Sequence, residues 1–432
     1  MKGVMLAAPQ SGSGKTTITL GLLRALKRRG EKLAPAKAGP DYIDPAFHSV
    51  ASGAVCMNYD PWAMRPDFLR ANASLASEGG RIFVLEAMMG LYDGAADGTG
   101  SSADLARLLG LPVILVIDCA KLSHSVAAIA RGFSDFSPDL YIGGVILNRV
   151  GSERHERMLR SALEHANVDC LGAMPRDEAL VVPERHLGLV QAGENTDLEA
   201  FVDAAAVRIE RHVDVGRIGK LARLGTPFEV PANILRLPPL GQRIAIARDL
   251  AFAFSYEHML LSWRRRGAEL SFFSPLADEA PAEDADAVFL PGGYPELHAG
   301  RIAGAATFKD GMTQAVARGV RVYGECGGYM VLGEGLIDAE GTRHEMLGAL
   351  PLMTSYAERR RSLGYRRIQA EPDFIWPMPL RAHEFHYSTV VEEGAGEALF
   401  SSIDAEGNEL PKTGLRRGNV AGSYMHVIDM EA

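Results

Sequence analysis

The chain has 432 residues, 47% of them hydrophobic and 23% charged, with a net charge of −9. This length exceeds one ordinary core and predicts two domains, and the balance excludes a chain dominated by disorder. The negative charge excludes a global basic field for nucleic acid or an anionic membrane, so small molecules are the expected partners.

Cys56, Cys119, Cys170 and Cys326 are widely spaced, with no Cys-x-x-Cys pair, as in a reducing compartment. The apolar run at the start, Met1–Pro9, is too short for a signal peptide, and Val113–Ile117 is too short to span a bilayer. A cytoplasmic protein is expected.

Short β-branched runs at Gly3–Ala7, Lys32–Ala36, Ile82–Glu86, Val113–Asp118 and Gly144–Asn148 alternate with amphipathic stretches. That pattern predicts a parallel sheet covered by helices. Lys15–Arg29 reads as a helix, with Ile18, Leu22 and Leu26 on one face, basic residues in the last turn and Gly30 as its stop. The strand–loop–helix run Pro9-Gln10-Ser11-Gly12-Ser13-Gly14-Lys15-Thr16-Thr17 is the context of a P-loop, although Pro9 occupies the first glycine position. Gly12 and Gly14 let backbone amides converge on phosphate, Lys15 bridges phosphates, and Thr16 offers a hydroxyl to Mg²⁺.

Two acidic runs follow the next strands, Lys37–Pro45 with Asp41 and Asp44, and Glu86–Gly94 with Asp93. Both stand at C-terminal strand ends, where ligands bind in open α/β sheets. Asp41, Asp44, Glu86 and Asp93 are therefore candidates to gather around metal and substrate; the alternative is solvated or turn-forming loop carboxylates.

Periodicity fades across residues 212–242, which end in Leu237-Pro238-Pro239-Leu240-Gly241. The expected division is a P-loop domain over 1–211, a linker over 212–242 and a second domain over 243–432. The second half is also expected to be α/β, with strands at Arg243–Ala247, Glu269–Phe273, Ala287–Leu290 and Val320–Tyr323. The last of these enters Gly324-Glu325-Cys326-Gly327-Gly328, a G-x-C-x-G strand-to-helix elbow. Such an elbow exposes Cys326 as a nucleophile at a helix N-terminus and aims backbone amides, Gly327 among them, at a developing oxyanion. The loop Pro291–Glu296 offers a second oxyanion amide at Gly293. Candidate bases are His383, His386 and His426; His383-Glu384-Phe385-His386 lacks the i,i+4 spacing of the helical zinc motif, so no zinc is assigned.

Taken together, these motifs resemble the cobyrinic acid a,c-diamide synthase family, including its hydrogenobyrinic acid members, over nearly the whole chain. The resembling runs are Pro9–Thr17, Gly39–Pro45, Met89–Gly94, Pro183–Leu189, Phe272–Leu276, Pro291–Glu296, Glu325–Gly328, His383–Ser388 and Ser423–His426. Ala87 and Ala382 depart from it, standing where the family is expected to have glycine.

The resemblance implies a dethiobiotin-synthetase-like ATP domain joined to a class I-like glutamine amidotransferase domain. It implies that Cys326 attacks glutamine with His426 as its partner. Ammonia then displaces phosphate from a substrate carboxylate phosphorylated by Mg-ATP. Gly12, Gly14, Lys15, Thr16 and Thr17 would bind the nucleotide, Thr16, Asp44 and Glu86 the metal, and Asp41, Tyr42 and Asp93 would shape the carboxylate site. The class I pattern puts an acid at Ile428, and Asp429 is one residue too far, so a Cys–His dyad is expected. The implied substrates are glutamine and hydrogenobyrinic or cobyrinic acid, and a homodimer is among the partners considered. Two alternatives stand beside this reading. One is a P-loop switch ATPase with an inert amidotransferase-like module, which Gln10 in place of an early lysine opposes. The other is amidation of another tetrapyrrole.

Overall fold

The computed structural model describes residues 1–431 except 178–183, 186, 187, 190, 195, 196, 232, 371–373 and 375. Two compact units result, Met1–Ile234 and Leu235–Ala432. No described helix is long and apolar enough to cross a membrane.

The first unit is built on β1 (Gly3–Ala7), β2 (Leu33–Ala38), β3 (Met57–Tyr59), β4 (Ile82–Glu86), β5 (Val113–Asp118), β6 (Ile142–Val150) and β7 (Cys170–Pro175). Their order is β3-β2-β4-β1-β5-β6-β7, and every pairing is parallel. Residues of β1, β2 and β4 are all buried, as expected where helices cover both faces. The expected strands fall within one to two residues at each end. The reading omitted β3, which is only three residues long, and β7, whose Cys170-Leu-Gly-Ala-Met-Pro175 lacks a β-branched run.

Helix α1 (Lys15–Arg28) follows the P-loop with Arg29 as its C-cap, and α2 (Asp44–Ser52) opens just beyond the acidic run after β2. Helices α3 (Pro66–Ala76), α4 (Ser102–Leu109), α5 (Ser125–Asp135) and α6 (Glu153–His165) complete the crossovers. Next come the two-residue strands β8 (Glu184–Arg185) and β9 (Gly188–Leu189), then α7 (Leu198–His212) and α8 (Val215–Leu221). Helix α8 lies inside the stretch read as linker. Of the family-like run Pro183–Leu189, Pro183, His186 and Leu187 lie outside the described residues. Arg24 ties α1 to its neighbours, donating to the carbonyls of Val50 and Ala51 and to the carboxylates of Glu199 and Asp203.

The second unit opens with β10 (Arg243–Ala247), α9 (Glu257–Arg265), β11 (Glu269–Phe273), β12 (Ala287–Leu290), α10 (Ala299–Ala303), α11 (Ala306–Ala317), β13 (Arg321–Glu325) and α12 (Gly327–Leu332). The expected strands are again in place, β13 running on to Glu325. Beyond them the chain is largely β: β14 (Gly335–Ile337), β15 (Arg343–Glu345), β16 (Leu352–Ser355), β17 (Ser362–Ala370), β18 (Leu380–His386), β19 (Thr389–Glu393), β20 (Glu397–Asp404), β21 (Glu409–Arg417), β22 (Val420–Ser423) and β23 (Met425–Met430). A mixed sheet runs β11-β10-β12-β13-β22-β21-β20-β17-β18-β23, parallel from β11 to β22 and antiparallel thereafter.

His258 of α9 is buried and donates from Nε2 to the Ile428 carbonyl at 3.0 Å, fastening the helix to the last strand. Burial holds this imidazole down to about 4, whereas an unfolded histidine titrates near ~6.5. The unfolded state therefore takes the proton first, so the stability is present above that value and is lost as pH falls through about 4. We expect urea midpoints to drop between neutral pH and the folded value, a loss worth at most about 3 kcal/mol. His258→Gln should flatten that drop; an unchanged acid limb would contradict the assignment.

Candidate active site

In the first unit the site is built from the ends of β1, β2 and β4. Gly14, the N-cap of α1, has φ +85°, and a Cβ there would stand 2.3 Å from Asn148 Nδ2. Only glycine meets both demands. Asn148, at the end of β6, donates to the Ser13 carbonyl at 2.9 Å and fixes the loop from beneath. Gly12 is exposed at φ +76° with open space about it. The loop thus presents amides at the start of a 14-residue helix, the cradle a phosphate chain requires. Lys15 Nζ folds over it, donating to the Met89 carbonyl at 2.6 Å. Burial pulls this ammonium down while Glu86, Asp44 and Asp93 act against that.

Glu86 ends β4, is fully buried and pairs in register with Lys37 of β2. Its Oε1 accepts from Thr16 Oγ1 at 2.7 Å and from Lys37 Nζ at 2.9 Å. Lys37 also donates to Asp44. His48 of α2 places Nδ1 2.6 Å from the Asp44 carbonyl and Nε2 2.7 Å from Glu86 Oε2. Both neighbours are acceptors, so both ring nitrogens donate and His48 is an imidazolium. Burial, the largest single influence, lowers its pKa, but the Glu86 charge and hydrogen bond with the Asp44 charge together outweigh it and the pKa is raised. Burial likewise raises Glu86, but Lys37 and His48 hold it well below the usual carboxylate range. Asp44 is pushed up to about 6 by burial and by the Asp41 charge, against the pull of Lys37.

Asp41 Oδ1 accepts from the amides of Ile43 and Asp44, at 2.8 and 3.0 Å, and so fixes the start of α2. Asp93 is exposed, and its Oδ2 accepts from the Gly90 amide at 2.8 Å. Tyr42 is half-buried beside Asp41, and Thr17 is half-buried in the first turn of α1. Thr16, Asp44 and Glu86 bring a hydroxyl and two carboxylates together, with the Lys37 ammonium bridging the carboxylates; oxygen donors of this kind are those a hard cation takes.

In the second unit Cys326 joins β13 to α12 at φ +47°, ψ −103°. A non-glycine residue there is strained, and two contacts hold it: the Cys326 amide donates to the Ser423 carbonyl at 2.8 Å, and its carbonyl accepts from Met330 at 3.0 Å. Gly328 packs so tightly that a Cβ would lie 1.9 Å from the Leu290 carbonyl. A Cβ on Gly327 would lie 2.9 Å from the Gly293 amide nitrogen, so the two expected oxyanion amides are neighbours. A Cβ on Gly292 would lie 2.4 Å from His426 Cε1, 3.2 Å from Nε2 and 3.3 Å from Cys326 Cβ. The elbow, the Gly292–Gly293 loop and His426 therefore converge on one point. Sequence reading expects a helix N-terminus to lower the thiol, but α12 has only six residues, and burial pushes Cys326 far above its ordinary value. The thiol itself donates to the Phe385 carbonyl at 3.8 Å, and burial keeps the neighbouring His426 neutral.

Of the other candidate bases, His383 and His386 lie on β18. His386 Nε2 is 3.1 Å from Glu384 and its ring stacks on Tyr424 at 3.7 Å. Glu296, in the turn after the Gly292–Gly293 loop, is also buried and is pushed up to about 7 by that burial.

Residues 4–190 match the CobQ/CobB/MinD/ParA nucleotide binding domain family, and residues 243–431 match the CobB/CobQ-like glutamine amidotransferase domain family. The chain is 61% identical over 430 residues to the hydrogenobyrinate a,c-diamide synthase of Sinorhizobium sp, covering 100% of this chain and 99% of the relative. It is 61% identical to that of Brucella anthropi and 62% identical to that of Brucella abortus, each across 99% of both chains. The chain belongs to the hydrogenobyrinate a,c-diamide synthase family.

Within this family member the sequence reading missed Lys37, His48 and Asn148. A lysine in an otherwise apolar strand, Leu33-Ala-Pro-Ala-Lys-Ala38, was the available signal, because such a charge is buried only against partners. His48 carried none beyond its place one turn after Asp44.

A methyl group at Gly292 tests the convergence in the amidotransferase half. Gly292→Ala should displace the His426 ring and lower glutamine hydrolysis roughly 10²-fold, with amidation from free ammonia unchanged in a paired assay. Equal glutamine turnover in both proteins would contradict the arrangement.

Proposed function

We propose that this chain amidates the a and c side-chain carboxylates of a corrin macrocycle, using ATP and glutamine, with metal-free hydrogenobyrinic acid as the substrate and cobyrinic acid as the comparison. The observation that carries the reading is the convergence of Cys326, Gly292–Gly293 and His426 in a chain whose other half ends its first strand in a P-loop. Its free cysteines support a reducing compartment such as the cytoplasm.

At the second site, Cys326 Sγ attacks the side-chain carbonyl of glutamine while His426 Nε2 takes the thiol proton. The Gly293 and Gly327 amides donate to the oxyanion. His426 returns the proton to the departing nitrogen, ammonia leaves, and water hydrolyses the thioester to glutamate.

At the first site a carboxylate must be activated, since its oxygen is a poor leaving group. Bound with Mg²⁺, ATP supplies the phosphoryl group that makes it one; the loop amides of Gly12 and Gly14 with Lys15 and Thr17 would hold the phosphates, and Thr16, Asp44 and Glu86 the metal. Asp41 keeps Asp44 at the start of α2, and Asp93 keeps the Met89–Gly94 turn closed around Lys15. Tyr42 and these two acids face the incoming carboxylate. Ammonia then attacks the acyl phosphate.

Incubation with ATP, Mg²⁺ and glutamine should convert hydrogenobyrinic acid to a diamide by mass, with glutamate and ADP released. Cys326→Ala should lose this with glutamine and keep it with ammonia, whereas Lys15→Met should lose it with either. Turnover of ATP without mass gain on either macrocycle would sink the reading and favour a nucleotide switch.

A further inference from the structure

We propose that Glu325, the residue immediately before the nucleophile, is a positioning residue that holds His426 through its Nδ1 edge. The proposal rests on reading Cys326 and His426 as the glutaminase pair. At Ile428, where the class I pattern puts an acid, the side chain is apolar and its carbonyl is taken by His258. Beside the His426 ring, Glu325 Oε2 stands 3.8 Å from Nδ1, and both side chains are at most 1% exposed.

The carboxyl is held from several sides. Its Oε1 accepts from the Val427 amide, the residue after His426, at 3.1 Å. Tyr323 and Glu325 project from the same face of β13, two residues apart, and the Tyr323 hydroxyl acts on the carboxyl from there. Glu325 pairs in register with Ser423 of β22, whose carbonyl accepts from the Cys326 amide and whose hydroxyl accepts from the Met425 amide. The strand that delivers the nucleophile thus also delivers an acid to the base.

This placement selects a tautomer. With Glu325 ionised, its Oε2 favours the proton on the Nδ1 edge it faces and leaves the Nε2 lone pair bare, and Nε2 is the edge that faces Gly292 and Cys326. Burial pushes the Glu325 carboxyl up to about 8 and pulls the His426 imidazole down, so a carboxylate there gains from an imidazolium beside it. When the thiol proton reaches Nε2, His426 becomes an imidazolium beside the Glu325 carboxylate, the sulfur keeps the negative charge, and the two members of the pair each offset the burial of the other. The other ionisable groups acting on the site are His383 and His386 on the His426 side, and Glu296 and Glu384 on the Cys326 side.

Glu325→Gln keeps the shape and removes the acid. Its kcat for glutamine hydrolysis should fall roughly 10²- to 10⁴-fold, with KM for glutamine unchanged, amidation from ammonia retained, and the basic limb of the pH–rate profile displaced. Glu325→Asp should recover part of the rate. A rate within about threefold of the unaltered protein, or a loss confined to KM, overturns the proposal. ¹⁵N-histidine spectra of the unaltered chain need no variant to fold: a His426 signal protonated at Nδ1 is expected, and the Nε2-protonated form overturns it. Cys326→Ala run alongside separates the two claims, because glutamine hydrolysis surviving in that variant defeats the Cys326 reading itself.

Discussion

Each half of this protein ends a central strand in a glutamate removed from water, and the surrounding structure is organised by what those two carboxylates require. An isolated buried carboxylate costs several kcal/mol. At the end of β4 the cost is offset by Lys37, His48 and the Thr16 hydroxyl, so Glu86 stays ionised and the P-loop, α2 and two strands are held to one another. At the end of β13, Glu325 accepts from a backbone amide and faces the His426 imidazole, with no cation among its described partners. The first arrangement is a standing charge network that suits a metal and phosphates. The second holds a carboxylate that gains a counter-charge only during turnover.

That difference follows the chemistry. A carboxylate resists ammonia until it carries a better leaving group, so one half needs permanent charge to bind polyphosphate. On the proposed reading the other half attacks glutamine with the Cys326 thiol, which burial keeps protonated. Ammonia is mostly protonated in water at neutral pH; releasing it within the protein keeps it nucleophilic. Coupling two chemistries in one chain then has a physical reason beyond convenience.

The parallel cores were legible because buried strands in such sheets read as short continuous apolar runs, as in Val113–Asp118 and Ala287–Leu290. The antiparallel region from β17 to β23 was not. Arg366 and Arg367 sit inside β17, while Pro411 and Gly414 sit inside β21, and these residues disguise strands whose one face is wet. Both reactive loops were readable from spacing alone, since glycine and strand–helix context have a direct geometric meaning. Partners supplied by other strands were not: Lys37 meets Glu86 only through register, and Glu325 meets His426 only because β13 and β23 are brought together. Asp41 and Asp93, expected to shape the carboxylate site, hold loop amides whose pairing no spacing announces, and stand near Asp44 and Lys15.

The central claim is that a substrate carboxylate, activated by phosphoryl transfer at the Lys15–Glu86 site, receives the nitrogen liberated at Cys326. Hydrogenobyrinic acid labelled with ¹⁸O in its carboxylates tests it most directly, by mass analysis of the phosphate released during amidation. One ¹⁸O atom in inorganic phosphate for every amide formed is the predicted result. Phosphate free of label, or label recovered in AMP, would contradict the account.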